Sequence, residues 1–95
     1  MSWGPKVIEF RFKNGTVVWD LDLEGALERM ATVETQDFWA TEIDPGSWEV
    51  QFEPHADPFL IVNVPAIDGL EAAAEARLII KLDLREKVLL KAVDP

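Results

Sequence analysis

The stretch VIEFRFKNGTVVWDL, residues 7–21, decides the fold class, because two runs of alternating apolar and polar residues flank Asn14-Gly15. Asn-Gly between two such runs is the strongest short-range signal for a β-hairpin, since both central residues of its turn adopt positive φ. A two-residue loop pairs Lys13 with Thr16 and places three further pairs on one apolar face. Those pairs are Phe12 with Val17, Phe10 with Trp19 and Ile8 with Leu21. The sequence therefore predicts a half-buried antiparallel ribbon.

A short helix is predicted directly after this hairpin, over residues 23–31. Asp22 is a suitable N-cap, and Leu23, Leu27 and Met30 recur at helical spacing with acids on the other side. Gly25 weakens the prediction, since Gly inside a helix costs about 1 kcal/mol relative to Ala. Residues 32–36 are polar and β-branched, which is typical of a connecting segment.

A second hairpin is predicted around Pro45-Gly46, which suits the central positions of a type II turn. Pairing Asp44 with Ser47 gives one apolar face. Its pairs are Ile43 with Trp48, Thr41 with Val50 and Trp39 with Phe52, so Trp19, Trp39 and Trp48 are all expected in the core. This register turns Phe38 outward as an exposed aromatic among acids. The alternative is that the strand assignment is incomplete and Phe38 faces the core.

The second half of the chain contains a strand, a helix and an ambiguous segment. Residues 59–64 are apolar on both faces, which indicates a central, well-covered strand ending at Pro65. Asp68 and Glu71 have the spacing of a capping box before a helix over residues 69–77. Residues 78–92 alternate with a period of two, which favours two strands joined around residues 85–87. Their Leu, Lys, Arg and Glu content also allows one long helix from Gly69 onward.

These elements predict one domain over residues 1–95, since 95 residues suit a single hydrophobic core. The fold class is α+β, with a mainly antiparallel sheet of about five to seven strands and two short helices packed on it.

The negative charge is concentrated in the middle of the chain. The whole sequence has 18 acids and 9 bases, a net charge of −9. Residues 20–57 hold eleven acids and one base, Arg29, which gives −10 for that segment. Such a segment is either a solubilising coat or a negative surface for a basic partner protein. It argues against direct contact with nucleic acid phosphates or anionic lipid.

Several functional classes lack the residues they need. The chain has no Cys, which excludes disulfides, thiolate zinc sites and Cys nucleophiles. His55 is the one histidine in the sequence. Asp20, Asp22 and Glu24 alternate with leucines, a pattern typical of a strand with one solvated face. We therefore expect no metal, no other cofactor and no enzymatic activity. The start of the chain does not resemble a signal peptide and no apolar run spans a bilayer, so we expect a cytoplasmic protein without membrane contact.

The leading hypothesis is a non-enzymatic module that binds a basic protein. Small acidic inhibitors, immunity proteins and phage-encoded blockers of defence systems share this general composition. The candidate partner-binding residues are Asp20, Asp22, Glu34, Asp37, Phe38, Glu42, Asp44, Glu49 and Glu53. The alternative is a structural subunit of an assembly or a homo-oligomer, in which bases of residues 78–92 meet the acidic centre of a neighbour head to tail. A small hydrolase or ligand carrier is the third hypothesis.

Overall fold

The computed structural model describes residues 7–53, 60–86 and 89–93, and it has an α+β fold. The strands are β1 (Ile8–Phe12), β2 (Val17–Asp20), β3 (Phe38–Asp44), β4 (Ser47–Phe52), β5 (Leu60–Pro65) and β6 (Leu89–Val93). The helices are α1 (Leu23–Ala31) and α2 (Gly69–Glu86), with a short 3-10 turn at Val33–Thr35. Neighbouring strands are antiparallel, in the order β3-β4-β5-β2-β1-β6.

Both helices cover the same face of this sheet, and the other face has no helix over it among the described residues. Side chains of α1 and α2 join those of the strands in one buried cluster, which includes Met30 and Ile80. The central position of β5, between β4 and β2, confirms the prediction for residues 60–64. The prediction that both faces of β5 are covered is wrong, because Val62 is buried whereas Asn63 on the opposite face is exposed.

The helix starts agree with the sequence signals. Helix α1 has the predicted bounds, and the Asp22 side chain accepts a hydrogen bond from the Gly25 backbone N–H at 2.7 Å. At α2, Asp68 accepts from the Glu71 N–H at 2.8 Å, and the Glu71 carboxylate accepts from the Ile67 N–H at 3.1 Å. These bonds satisfy backbone donors that have no partner within the first helical turn.

The first hairpin forms as predicted, but its register is shifted by one residue. The loop has three residues, because Phe12 N–H donates to the Thr16 carbonyl at 2.8 Å and Gly15 N–H donates to the Phe12 carbonyl at 3.0 Å. Gly15 has φ 97°, as the third residue of such a loop requires. Phe10 therefore pairs with Val18, not Trp19. A one-residue shift exchanges the two faces of a strand, so Val18 is buried and Leu21 is exposed.

A buried carboxylate on α2 holds the hairpin in this register. Asp83 is 1% exposed, and its two oxygens accept hydrogen bonds from the hairpin loop. One bond comes from the Asn14 backbone N–H at 3.0 Å, and the other from the hydroxyl of Thr16, which is itself fully buried. With a two-residue loop Thr16 would face the other side of the sheet, and the carboxylate would lose this donor.

The second hairpin also has the predicted turn and an unpredicted change of register. Asp44 pairs with Ser47 and Gly46 has φ 78°, which agrees with a type II turn. A bulge between Glu42 and Asp44 then shifts the pairing, so that Ala40 lies opposite Val50. The rest of β3 is inverted relative to the prediction, because a bulge adds one residue to one strand only.

The second helix extends further toward the C-terminus than the preferred interpretation predicted. Helix α2 continues to Glu86, so the strand predicted at residues 78–84 is wrong and the helical alternative is correct there. A single strand, β6, follows and pairs with β1, so there is no third hairpin in the described chain. The period-two pattern misled because leucines lie on an exposed helix face as well as in the core, as Leu78 at 53% exposure shows.

We predict that Asp83→Ala lowers the free energy of unfolding by about 2–4 kcal/mol, because it leaves the buried Thr16 hydroxyl and the partly buried Asn14 N–H without this acceptor. Asp83→Asn retains one carbonyl acceptor and should cost less. Urea denaturation followed by tryptophan fluorescence measures both values. Glu75→Ala, an exposed change on the same helix, is the control and should have little effect. Equal losses for Asp83→Ala and Glu75→Ala would contradict the assigned role.

Candidate protein-binding surface

Two of the predicted partner-binding acids share one ion-pair partner within the protein, Arg29. Its Nε lies 3.2 Å from Asp20 Oδ2, and its Nη1 donates to Glu53 Oε2. The three side chains are 21%, 15% and 31% exposed, so the group is partly shielded from water. Glu53 has φ 52°, and its N–H donates to the Asp37 carbonyl at 3.0 Å. This arrangement fastens α1 to the ends of β2 and β4, and its one positive charge offsets one of the two negative charges.

Two further candidate acids also have partners inside the chain. Asp22 caps α1, as described above. Glu34 forms an exposed ion pair with Lys81 of α2. The hydrogen bond from Lys81, aided by the charges of Lys81 and Arg77, holds the pKa of the Glu34 carboxyl below its ordinary value of 4.5. An exposed pair of this kind contributes little to stability and is screened by salt.

Phe38 lies on the helix-covered side of the sheet, so its predicted role as an outward aromatic anchor is wrong. Its ring centroid is 6.5 Å from that of Phe52, and the Arg77 guanidinium carbon lies 5.2 Å and 5.3 Å from the two centroids. Arg77 also donates to the Val33 carbonyl at 3.3 Å and the Gln36 carbonyl at 3.4 Å. The cation therefore joins α2 to the 3-10 turn and the aromatic pair.

The remaining candidate acids are Asp37, at the start of β3, and three acids on the β3–β4 hairpin. The carboxylate of Glu42 accepts from the Gly46 N–H at 3.2 Å, and that of Glu49 accepts from Gln51 Nε2 at 3.0 Å. Neither these two nor Asp44 has an ion pair with a base among the residues that the structure describes. Hydrogen bonds from neutral donors leave the negative charge in place, so this hairpin keeps an acidic surface.

The hairpin also exposes two large apolar residues that sequence reasoning placed in the core. Trp39 is 56% exposed and Ile43 is 49% exposed. Both are outside because of the bulge, for which the sequence carries no marker such as an additional glycine. We call Trp39, Glu42, Ile43, Asp44 and Glu49 the hairpin surface; it includes both faces of the hairpin, because Glu42 pairs with Trp48 on the helix-covered side and Trp39 pairs with Gln51 on the uncovered side. Exposed aromatic and aliphatic groups among carboxylates are typical of protein-binding sites.

Other tryptophans differ in their surroundings. Trp48 packs against the core as predicted, and its indole N–H donates to the Ala66 carbonyl at 3.0 Å. Trp19 pairs with Glu9 on the uncovered face of the sheet, contrary to the predicted core position. Continuous pairing also places Trp39, Gln51, Ile61, Val17 and Arg11 in one row across five strands of that face.

The structure does not bring the candidate metal-ligating acids together. Asp20 binds Arg29 and Asp22 caps a helix, so neither points with Glu24 at a shared position. Within residues 7–53 and 60–86, there is no group of three or more His, Asp or Glu side chains arranged to hold a metal ion. His55 and the loop predicted over residues 54–58 lie outside the described residues.

Two further findings concern membrane-spanning helices and similarity to known proteins. Neither helix in the described chain has the length and apolar character needed to span a membrane. The chain matches no protein-family model, no curated protein and no solved structure.

We predict that Arg29→Met lowers the free energy of unfolding by about 1–3 kcal/mol, between the values for exposed and fully buried ion pairs. The matched control is Arg11→Met, because Arg11 is 52% exposed and its ion pair within the described residues is with Glu9. That change should cost about 0.5 kcal/mol or less. Chemical denaturation of both variants measures the difference. A cost for Arg29→Met no larger than the control value would show that the cluster is not structural.

The Glu34 pair has a testable pH dependence. Because the folded-state pKa is lowered, the pair stabilises the fold above the unfolded-state pKa, and this contribution disappears as pH falls through the folded-state pKa. Lys81→Gln should raise the Glu34 pKa toward 4.5. Lys13→Gln, in the first hairpin loop, should leave it unchanged. Carboxyl ¹³C NMR titration measures these values, and an unchanged pKa in Lys81→Gln would refute the pairing.

Proposed function

We propose that this protein is a non-enzymatic binding module that engages a basic partner protein through its hairpin surface. Trp39 and Ile43 supply apolar contact area, and Glu42, Asp44 and Glu49 supply the charge that selects the partner. The observation that carries the proposal is the distribution of pairing. Arg29 pairs with Asp20 and Glu53 and Lys81 pairs with Glu34, whereas Glu42, Asp44 and Glu49 form no ion pair with a described base and lie on the hairpin that exposes Trp39 and Ile43.

The side chains of the hairpin, and not its backbone edge, support this mode of binding. Strand β3 is at the edge of the sheet, where backbone groups can pair with another strand. Its bulge and its acids oppose such pairing, since irregular and charged edges are poor templates for strand addition. Contact through side chains suits a rigid antiparallel hairpin, which holds carboxylates at fixed spacing against a basic surface.

An inhibitor is the kind of module that this surface suits. Opposed electrostatic potentials speed the encounter with a basic protein and disfavour acidic competitors. A protein that binds nucleic acid presents a basic surface of this kind, so occupation by the hairpin surface would block its ligand.

The test uses photo-crosslinking from a residue inside the hairpin surface. Benzoylphenylalanine replaces Thr41, which is exposed and pairs with Glu49, and the protein is irradiated in lysate of its own source. Mass spectrometry identifies the captured protein, and titration with the purified partner then gives its Kd. We expect a basic partner whose Kd rises steeply with salt.

Charge variants of the purified protein make this test specific. Neutralising Glu42, Asp44 and Glu49 together should weaken binding at least tenfold, and Trp39→Ala should weaken it at physiological salt. The matched control neutralises Glu24, Glu28 and Glu86, which are exposed elsewhere and change the net charge equally. A partner that binds both triple variants with the same affinity would contradict the proposal.

A further inference from the structure

Helix α2 exposes a row of apolar residues on the side that faces away from the sheet. Leu70 is 77% exposed, Leu78 53% and Leu82 40%, and Ile67 just before the helix is 81% exposed. The opposite side of the same helix carries the buried residues Ala72, Ala73, Ala76, Ile80 and Asp83. The helix is therefore apolar on two sides, and the described residues of this chain cover only one of them. A single exposed leucine needs no explanation, but a row on one helix face does.

The exposed row has a defined centre. At about 100° per residue, Ala74 and Leu82 lie about 40° to either side of Leu78, and Glu71 and Arg85 lie about 20° to either side. All five residues are exposed. We call Leu70, Glu71, Ala74, Glu75, Leu78, Lys81, Leu82 and Arg85 the α2 face.

The charges of the α2 face are separated along the helix. Glu71 and Glu75 lie in its first half, and Lys81 and Arg85 lie in its second half, which ends in one further acid, Glu86, at the margin of the face. Each pair has a spacing of four residues, at which like charges repel on an isolated helix. The helix dipole favours acids near the start and bases near the end, but it does not account for the leucines between them. A partner with the reverse order of charges would compensate both pairs.

We propose that the α2 face binds a second copy of this chain, with the two α2 helices antiparallel across a twofold axis at Leu78. In that register Leu78 meets its own copy and Ala74 lies opposite Leu82. Glu71 then lies opposite Arg85, and Glu75 opposite Lys81. The acidic half of each helix faces the basic half of the other. An isologous interface requires this kind of self-complementarity.

Most of the side chains involved are available for this contact, and the Glu71 carboxylate also accepts the capping hydrogen bond from the Ile67 N–H through Oε1. Glu75 and Arg85 form no ion pair within the described chain, and the pair between Lys81 and Glu34 is exposed. The α2 face and the uncovered sheet face lie on opposite sides of the molecule, since α2 packs on the inner face of the sheet. Trp39 and Glu49 of the hairpin surface therefore stay open in the dimer, and the dimer is independent of the proposed function.

Sedimentation velocity from about 1 µM to about 1 mM, the range of weak association, tests the dimer. The mass should rise from the monomer value of 10.7 kDa toward twice that value. Leu78→Glu places two carboxylates at the axis and should raise the dissociation constant at least tenfold. Ile43→Glu makes the same chemical change at a similarly exposed position on the hairpin and should leave it unchanged. A wild-type protein that stays monomeric at all concentrations would overturn the proposal.

Charge reversal tests the antiparallel register itself. Glu71→Lys and Arg85→Glu should each weaken self-association at least tenfold, because each creates two repulsive pairs in its own dimer. An equimolar mixture of the two variants should form heterodimers with wild-type affinity, since both contacts are then complementary. Far-UV circular dichroism confirms folding, and Glu75→Lys with Lys81→Glu is the second pair if either variant fails to fold. A mixture no more associated than the separate variants would exclude this register.

Discussion

Asp83 imposes the constraint on which the rest of the structure depends, because a carboxylate at 1% exposure must find hydrogen-bond donors. It finds them on the first hairpin, in the Asn14 N–H and the Thr16 hydroxyl. Only a three-residue loop places both donors on the side of the sheet that α2 covers. The register of β1 and β2 follows from that loop, and with it the choice of Val18 as a core residue and Trp19 as a residue of the uncovered face.

The elements of this fold were largely predictable, because their signals are local. Alternation of apolar residues gave the strands, Asp22 and Asp68 gave the helix starts, and Pro45-Gly46 gave a turn. The faces were less predictable, because one additional residue in a loop or at a bulge reverses them. At the first hairpin the three-residue loop is stabilised by the hydrogen bond from Thr16 to Asp83, which lies 67 positions away. Local patterns do not contain such a contact.

The candidate surface was predictable only in its charge. The sequence places the acids in one segment, and three of them lie together on the β3–β4 hairpin. It does not show that Arg29 binds Asp20 and Glu53, because those contacts join three separate elements. The exposed aromatic of this region was expected to be Phe38 and is Trp39, since the bulge exchanges the two. Pairing and inversion together single out the β3–β4 hairpin within a broad acidic segment.

The register of the two hairpins decides which residues face the core, and it places Trp39 on the exposed side of the sheet. Nuclear Overhauser contacts between side chains and backbone protons of the isotopically labelled protein test this most directly. The account predicts cross-strand contacts of Phe10 with Val18 and of Ala40 with Val50. Contacts of Phe10 with Trp19 and of Thr41 with Val50 would contradict it, because Trp39 would then lie in the core.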